Sequence, residues 1–325
     1  MSARLLIAGA CALAALSAMG AMNAGAQGYP TRAIRVVIPY PPGGGSDMLI
    51  RPIAARVSEN TGQQLIMDNR PGGGSVIGTQ IAARSAPDGY TTLIVDLAFY
   101  SNPALVAKLP YDSVRDFAPV VNLASSAVIM VVHPSVPAKN LKELIALARS
   151  RPGELHYSSG GNGTGSHLSG ELLKLAAGIN LVHVPYKGVA PALTDTLSGQ
   201  VTITFAGVNA VRGFLENGRL RALGITGAVR KPAVPNVPTF AEAGLPTLDT
   251  TTYRGLMLPA ATPADAIARL NAEINKALAH VPLRTRLEEL GYDAAGGTAD
   301  DYAKIVRAEI SKWDGVIRKA GIRIE

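Results

Sequence analysis

The chain has 325 residues, with 31 Lys and Arg against 24 Asp and Glu, a net charge of +7, and only 5% aromatic residues. The cations are spread out rather than blocked, which argues against nucleic acid, and so few rings argue against a stacking platform for bases or sugars. The length suffices for two lobes, and the modest positive excess suits small anionic ligands.

Arg4 precedes an apolar, small-residue run from Leu5 to Met22, and Ala24-Gly25-Ala26 forms an A-x-A cleavage site before Gln27. Residues 1–26 therefore read as a secretory signal peptide, removed by cleavage rather than kept as an anchor. Cys11, the only cysteine, falls inside this segment, with too little apolar sequence before it for a lipoprotein signal. The mature chain is thus expected to lack disulfide and thiol chemistry. No later stretch has the length and apolarity of a membrane span.

Strand-like and helical runs then alternate. Arg35–Ile38, Gln64–Met67 and Thr91–Val95 read as strands, with helices near Met48–Glu59 and Val76–Arg84 between them. This alternation predicts βαβ units and a mostly parallel sheet. Pro52 inside the first helix should kink it or delay its start. After a loop over Asp96–Asp116, Ala127–Val132 is a buried strand. A helix from Leu141 to Ser150 follows, opened by Asn140 and Glu143 in a capping-box pattern. Leu155–Ser158, Leu181–Val184, Val201–Phe205 and Leu220–Thr226 are further strands, with helices near His167–Ala177, Ala190–Ser198 and Ala210–Asn217. Lys231–Pro246 is proline-rich and irregular. Thr252–Leu258 is a strand, Thr262-Pro263 opens a helix in cap-then-proline order, and Pro282–Leu290 and Thr298–Ala320 close the chain. Two α/β lobes follow, with the chain crossing twice and a ligand cleft between them.

Between the first strand and the first helix stands Ile38-Pro39-Tyr40-Pro41-Pro42-Gly43-Gly44-Gly45-Ser46-Asp47. Strand, glycine turn and helix start aim backbone N–H groups at one point, and glycine lets a ligand approach the main chain. No lysine follows, so this is no P-loop, and a carboxylate cradle is the working reading. Ser159-Gly160-Gly161-Asn162-Gly163-Thr164-Gly165-Ser166 repeats the device in the second lobe. The plain alternative is a pair of tight turns without ligand. A third glycine turn, Asn69–Ser75, carries Arg70, read as a scaffold ion pair.

Gly161-x-Gly163-x-Gly165 lacks the third glycine of a dinucleotide fingerprint, and no G-x-S-x-G or H-E-x-x-H occurs. The five histidines show no metal-ligand spacing. His167 alone, in the first turn after the second glycine loop, is a candidate ligand contact. No cofactor is expected. A Ser-His-Asp triad set by geometry alone keeps a secreted α/β hydrolase as the competing class.

These motifs, with Ala86-Pro87-Asp88-Gly89-Tyr90-Thr91, Lys108–Asp112, Asp116–Pro119, His183–Gly188 and Ala241–Pro246, run the length of the mature chain. In them it resembles the Bug-type, TctC-like periplasmic solute receptors of tripartite tricarboxylate transporters. The resemblance implies a type II periplasmic-binding-protein fold, α/β, two lobes with a ligand cleft between them, and no enzymatic activity. Residues 27–126 with 252–325 would form lobe 1, and 127–251 lobe 2. It implies a periplasmic location, a small carboxylate ligand, membrane transporter subunits as partners, and a monomer as the simplest state. A receptor signalling to a membrane sensor would keep the same cleft.

Carried over from the family, the ligand-binding residues are Tyr40, Gly44, Ser46, Asp47, Gly73 and Gly74 on lobe 1. On lobe 2 they are Ser158, Ser159, Thr164, His167, Tyr186 and Lys187. Asp47 is expected to cap its helix or order water rather than touch a carboxylate. Discrimination is expected farther along the cleft, near Asp96–Tyr100, Ala206 and Arg254. Ala206 replaces an acidic residue common among relatives, and Arg254 stands where they often carry an aromatic. Both departures favour a second anionic end, hence a dicarboxylate, aliphatic or aromatic, over an amino acid. The alternative for Arg254 is solvent or a hinge ion pair.

Overall fold

The computed structural model describes residues 28–186 and 188–322; the expected signal peptide with Cys11, and Lys187, lie outside the described residues. One unit begins with β1 (Ile34–Ile38), α1 (Gly45–Thr61), β2 (Leu65–Asn69), α2 (Val76–Ala83), β3 (Thr91–Val95), α3 (Leu97–Leu105) and β4 (Phe117–Ser126). The chain then passes to β5 (Val128–Val132), α4 (Leu141–Ser150), β6 (His156–Ser159), α5 (Gly165–Ala177), β7 (Val182–Pro185), α6 (Val189–Leu197), β8 (Ile203–Gly207), α7 (Val208–Glu216) and β9 (Arg221–Ile225). It returns through β10 (Thr252–Pro259), α8 (Ala264–Leu278), α9 (Val281–Glu289), β11 (Asp293–Gly296) and α10 (Ala299–Ala320).

Two sheets result, ordered β11-β4-β10-β3-β1-β2 and β7-β6-β8-β5-β9. β1 is an apolar run buried on both faces, as a central parallel strand must be. The expectation of mostly parallel sheets is corrected: β10 runs antiparallel to β3 and β4, and β5 antiparallel to β8 and β9. These are the strands on which the chain enters or re-enters a sheet, and their direction is set by pairing across the molecule.

Three local expectations are also corrected. The stretch after Asp96 contains α3, despite Pro103. Pro52 does not delay α1, which starts three residues before Met48; the helix simply lacks the N–H that would bond the Met48 carbonyl. The Thr262 hydroxyl donates to the Pro259 carbonyl at 2.7 Å, closing a turn, so Pro263 is left to cap α8. The Asn140 capping box forms as expected, with Glu143 N–H donating to Asn140 Oδ1 at 2.9 Å.

Each sheet has its own apolar core, around Ile38, Leu49 and Ile53 in the first and Leu144, Tyr157 and Phe205 in the second. A seam joins them: Leu168 of α5, fully buried, packs into the cluster around Trp313 and Tyr302 of α10. On another side, Lys231 Nζ meets Asp293 Oδ2 at 2.6 Å, tying the irregular segment after β9 to β11.

Candidate functional site

The two glycine loops have the same backbone solution, offset by 120 positions. Gly43 takes φ 79° and the N-cap Gly44 φ −71°, ψ 168°; Gly163 takes φ 75° and the N-cap Thr164 φ −70°, ψ 161°. The left-handed residue needs glycine. In each loop its N–H is held by a side chain from the first helical turn: Asp47 Oδ2 accepts from Gly43 at 2.9 Å, and His167 Nδ1 from Gly163 at 3.0 Å. Neither N-cap side chain caps its helix. The N–H groups of Gly45 and Ser46, and of Gly165 and Ser166, therefore have no intrahelical acceptor, the arrangement that suits an anion at a helix N-terminus.

Different chemistry supports each cradle. Asp47, buried, also accepts from Arg51 Nε and Nη2 at 2.8 and 2.9 Å and from Asn69 Nδ2 at 3.1 Å. The Arg51 hydrogen bonds, with those from Gly43 and Asn69, hold its carboxyl below the usual carboxylate value against the opposing effect of burial. In the other loop the His167 ring stacks on His183, with centroids 4.0 Å apart, and His183 Nε2 lies 2.6 Å from Ser159 Oγ. Burial lowers both imidazoles, His183 to about 4, so both rings are neutral near pH 7. The Ser159–His183 contact is not a catalytic pair: Ser159 is fully buried, its hydroxyl also donates to the Gly161 carbonyl, and no described carboxylate bonds His183.

A cavity of about 290 Å³ opens between the sheets, with Tyr40, Asp96, Thr252 and Arg254 on one wall and Asn162–Gly165 on the other. Its floor is α3, through Leu97, Ala98 and Asn102. Asp96 caps α3, accepting from Ala98 N–H at 3.2 Å, from Ser46 Oγ at 3.3 Å and from the Tyr40 hydroxyl. Burial first, then the Asp96 carboxylate, push Tyr40 well above its ordinary value, so it stays a donor. Arg254 Nη1 donates to Ser126 Oγ at 2.8 Å, and Nη2 lies 3.4 Å from where a Cβ on Gly45 would stand. Its Nε is buried without a partner, and Arg254 makes no ion pair among the described residues.

Tyr40, Gly74, Asp96, Thr164 and Arg254 thus meet at one cavity; Gly44 and Ser46 do not line it, and Ser46 reaches it only through its hydroxyl contact with Asp96. Asp47 stands behind its turn, accepting from Gly43 N–H. Gly73 shapes the third turn, its carbonyl accepting Val76 N–H. His167 supports its loop, its Nδ1 accepting from Gly163 N–H and its ring stacking on His183. Ser158 points under α6, bonded to Thr196, and Tyr186 donates to Asp195 Oδ2 at 2.7 Å. Ala206 packs into the apolar cluster of β5, β8 and α7. Asp96 and Arg254 are not far along the cleft; both stand against the first turn of α1. Arg70 pairs with Asp68 at 2.8 Å. Sequence reading missed Ser75, Asn102 and Ser126. Ser75, at φ 78°, is the one non-glycine left-handed residue described, and only the preceding glycine run hinted at it.

Two α/β lobes facing each other across a polar cleft, with a helix N-terminus aimed from each side, define a solute-binding receptor. Residues 49–322 match the model of the tripartite tricarboxylate transporter family receptor, and the chain belongs to that family of periplasmic binding proteins, which are not enzymes. It is 34% identical to Protein BugT of Bordetella pertussis (strain Tohama I) over 302 residues, 91% of this chain and 92% of that one. It superposes on R. palustris Rpa4515 with adipate at TM-score 0.79 and 36% identity, covering 91% of this chain and all of that one. MatC (Rpa3494) from Rhodopseudomonas palustris with bound malate gives 0.76 and 32%, covering 89% of this chain and all of that one. No helix among the described residues is long and apolar enough to cross a membrane.

Proposed function

We propose that this chain is a periplasmic receptor that captures a small dicarboxylate, aliphatic or aromatic, and presents it to the membrane subunits of a tripartite tricarboxylate transporter. Residues 27–126 with 252–325 form one lobe and 127–251 the other, closing over the ligand as a monomer. The observation that carries this reading is Arg254, a guanidinium with no ion pair among the described residues, which lines the cleft and stands against Gly45 at the start of α1. A fixed cation with an unused donor suits an anionic group better than an apolar one. The cavity, below the usual range of about 300–1,000 Å³ for ligand pockets, favours a small ligand. Rpa4515 with adipate and MatC with bound malate, both above 30% identity to this chain, hold dicarboxylates.

The test is isothermal titration with a panel of mono- and dicarboxylates on the wild type and Arg254→Ala. Dicarboxylates should bind more tightly than monocarboxylates of equal length. The variant should lose on the order of tenfold or more in dicarboxylate affinity, the loss expected of a charge-assisted hydrogen bond. Unchanged affinity in Arg254→Ala would sink the assignment.

A further inference from the structure

The cavity wall holds one cation and one anion, and they flank the same helical turn. Arg254 Nη2 stands against Gly45, and Asp96 Oδ2 stands 3.3 Å from the hydroxyl of Ser46, the next residue. A carboxylate held in the cavity that Arg254 and Asp96 both line, at this turn, would meet both of them. For that carboxylate Arg254 is attractive, but Asp96 is a like charge at short range, which costs affinity. The cost is not hidden by an ion pair, since Asp96 has none among the described residues; its partners are the Tyr40 and Ser46 hydroxyls and the Ala98 N–H. Oδ2 carries only the long contact from Ser46, so it keeps acceptor capacity toward the cavity that Asp96 lines.

We infer that Asp96 determines specificity by accepting a hydrogen bond from a donor on the ligand carbon next to the bound carboxylate. The ligand class is thereby narrowed to dicarboxylates with an α-hydroxyl or α-amino group. Asp96 rejects the unsubstituted diacid, which brings only oxygen acceptors and hydrogen-bearing carbon to its face. Helix capping and support of Tyr40 explain an acceptor at this position, but an amide or hydroxyl oxygen would serve those ends without the repulsion. The inference rests on the dicarboxylate reading above.

Titration of the intact protein with butanedioate and hexanedioate, each unsubstituted, α-hydroxylated and α-aminated, tests it. At the chain length that binds, one substituted form should bind about tenfold or more tightly than the parent, the worth of one hydrogen bond to a charged group. Which substituent ranks higher tells hydroxyl from ammonium. Asp96→Asn, and Asp96→Ser as a second variant that keeps a helix-capping oxygen, should bring the ratio of substituted to parent affinity close to one. A merely structural role would weaken both ligands alike and leave that ratio intact. If parent diacids bind the wild type as well as their substituted forms, or if the ratio survives in either variant, the inference fails and the dicarboxylate reading stands. If no diacid binds the folded protein, both fall.

Discussion

Asp47→Ala probes whether the first cradle is held open by its own helix. The carboxylate is 3% exposed and accepts four hydrogen bonds, from Gly43 N–H, Asn69 Nδ2 and two nitrogens of Arg51. Arg51 is half exposed and regains water on truncation, so its share is small. Asn69 keeps its bond to the Tyr40 carbonyl at 3.0 Å, whereas the Gly43 N–H is left without an acceptor. Unmet donors at roughly 1–3 kcal/mol each put the total near 3 kcal/mol for Asp47→Ala, and about 1 kcal/mol for Asp47→Asn, whose amide oxygen still accepts from Gly43. At roughly 2 °C per kcal/mol for a chain of this size, Asp47→Ala should melt about 6 °C lower. Its ligand affinity should fall with the loss of the ordered turn. The native carboxyl titrates below its unfolded value. Its contribution is therefore complete above about pH 4 and is lost as pH falls through the folded value, so Asp47→Asn should flatten the acid limb of stability. Calorimetric scans with parallel titrations measure all of this. An Asp47→Ala protein with wild-type melting and affinity would refute the role given to this side chain.

Two further outcomes follow from the second lobe. A Cβ on Gly170 would stand 2.1 Å from the ring of Tyr157, a fully buried side chain whose hydroxyl is fixed on Glu171 at 2.7 Å. Gly170→Ala should therefore cost about 3 kcal/mol in denaturant unfolding, and a neutral result would mean the α5–β6 packing is misjudged. His183 is lowered to about 4 by burial and by His167 beside it. The unfolded chain takes up a proton below about 6.5 while the folded chain does not until about 4, so stability should decline across that window and level off beneath it. Melting temperatures of the wild type and His183→Asn across this range check the sign; a wild-type profile no steeper than the variant's would overturn it.

Much of the fold could be read locally. The α4 helix combines an Asn140–Glu143 cap with clean amphipathic spacing, and β3 is a β-branched run bounded by turns, so both lie where the residues put them. The α3 helix was illegible because Leu97–Leu105 contains Asn102-Pro103 and buries most of its surface, leaving no apolar stripe to detect. β4 carries Pro119, which speaks against a strand, yet pairs with β10 on one side and β11 on the other. Strand direction in the two sheets depends on such long-range pairings, which no window of sequence contains. The site divides in the same way. The glycine turns are local and legible in the sequence. Nothing local brings Arg254 to Gly45, or turns Ser158 and His167 away from the cavity, since those follow from long-range packing within each lobe, of β10 against α1, of His167 on His183 and of β6 beneath α6.

The near-identical turns at Gly43–Asp47 and Gly163–His167 show how one backbone device can be tuned by its supporting side chain. Both need an acceptor for the left-handed glycine's N–H, and both must avoid repelling an anion on the neighbouring N–H groups. Lobe 1 uses a carboxylate and neutralises it with Arg51; lobe 2 uses a neutral imidazole kept so by burial. The first arrangement tolerates acid down to the carboxylate range, while the second gives way once the imidazole is protonated and can no longer accept from Gly163. In the proposed reading, the main-chain donors of the two turns do not by themselves discriminate among carboxylates. Selection therefore falls to the groups the turns do not share. In lobe 1, Arg254 and Asp96 flank the cradle with opposite charges, whereas the lobe 2 wall of the cavity, Asn162–Gly165, carries no ionised side chain. In the proposed reading, the symmetric part of the cleft would hold an anion and its asymmetric part would read what is attached to it.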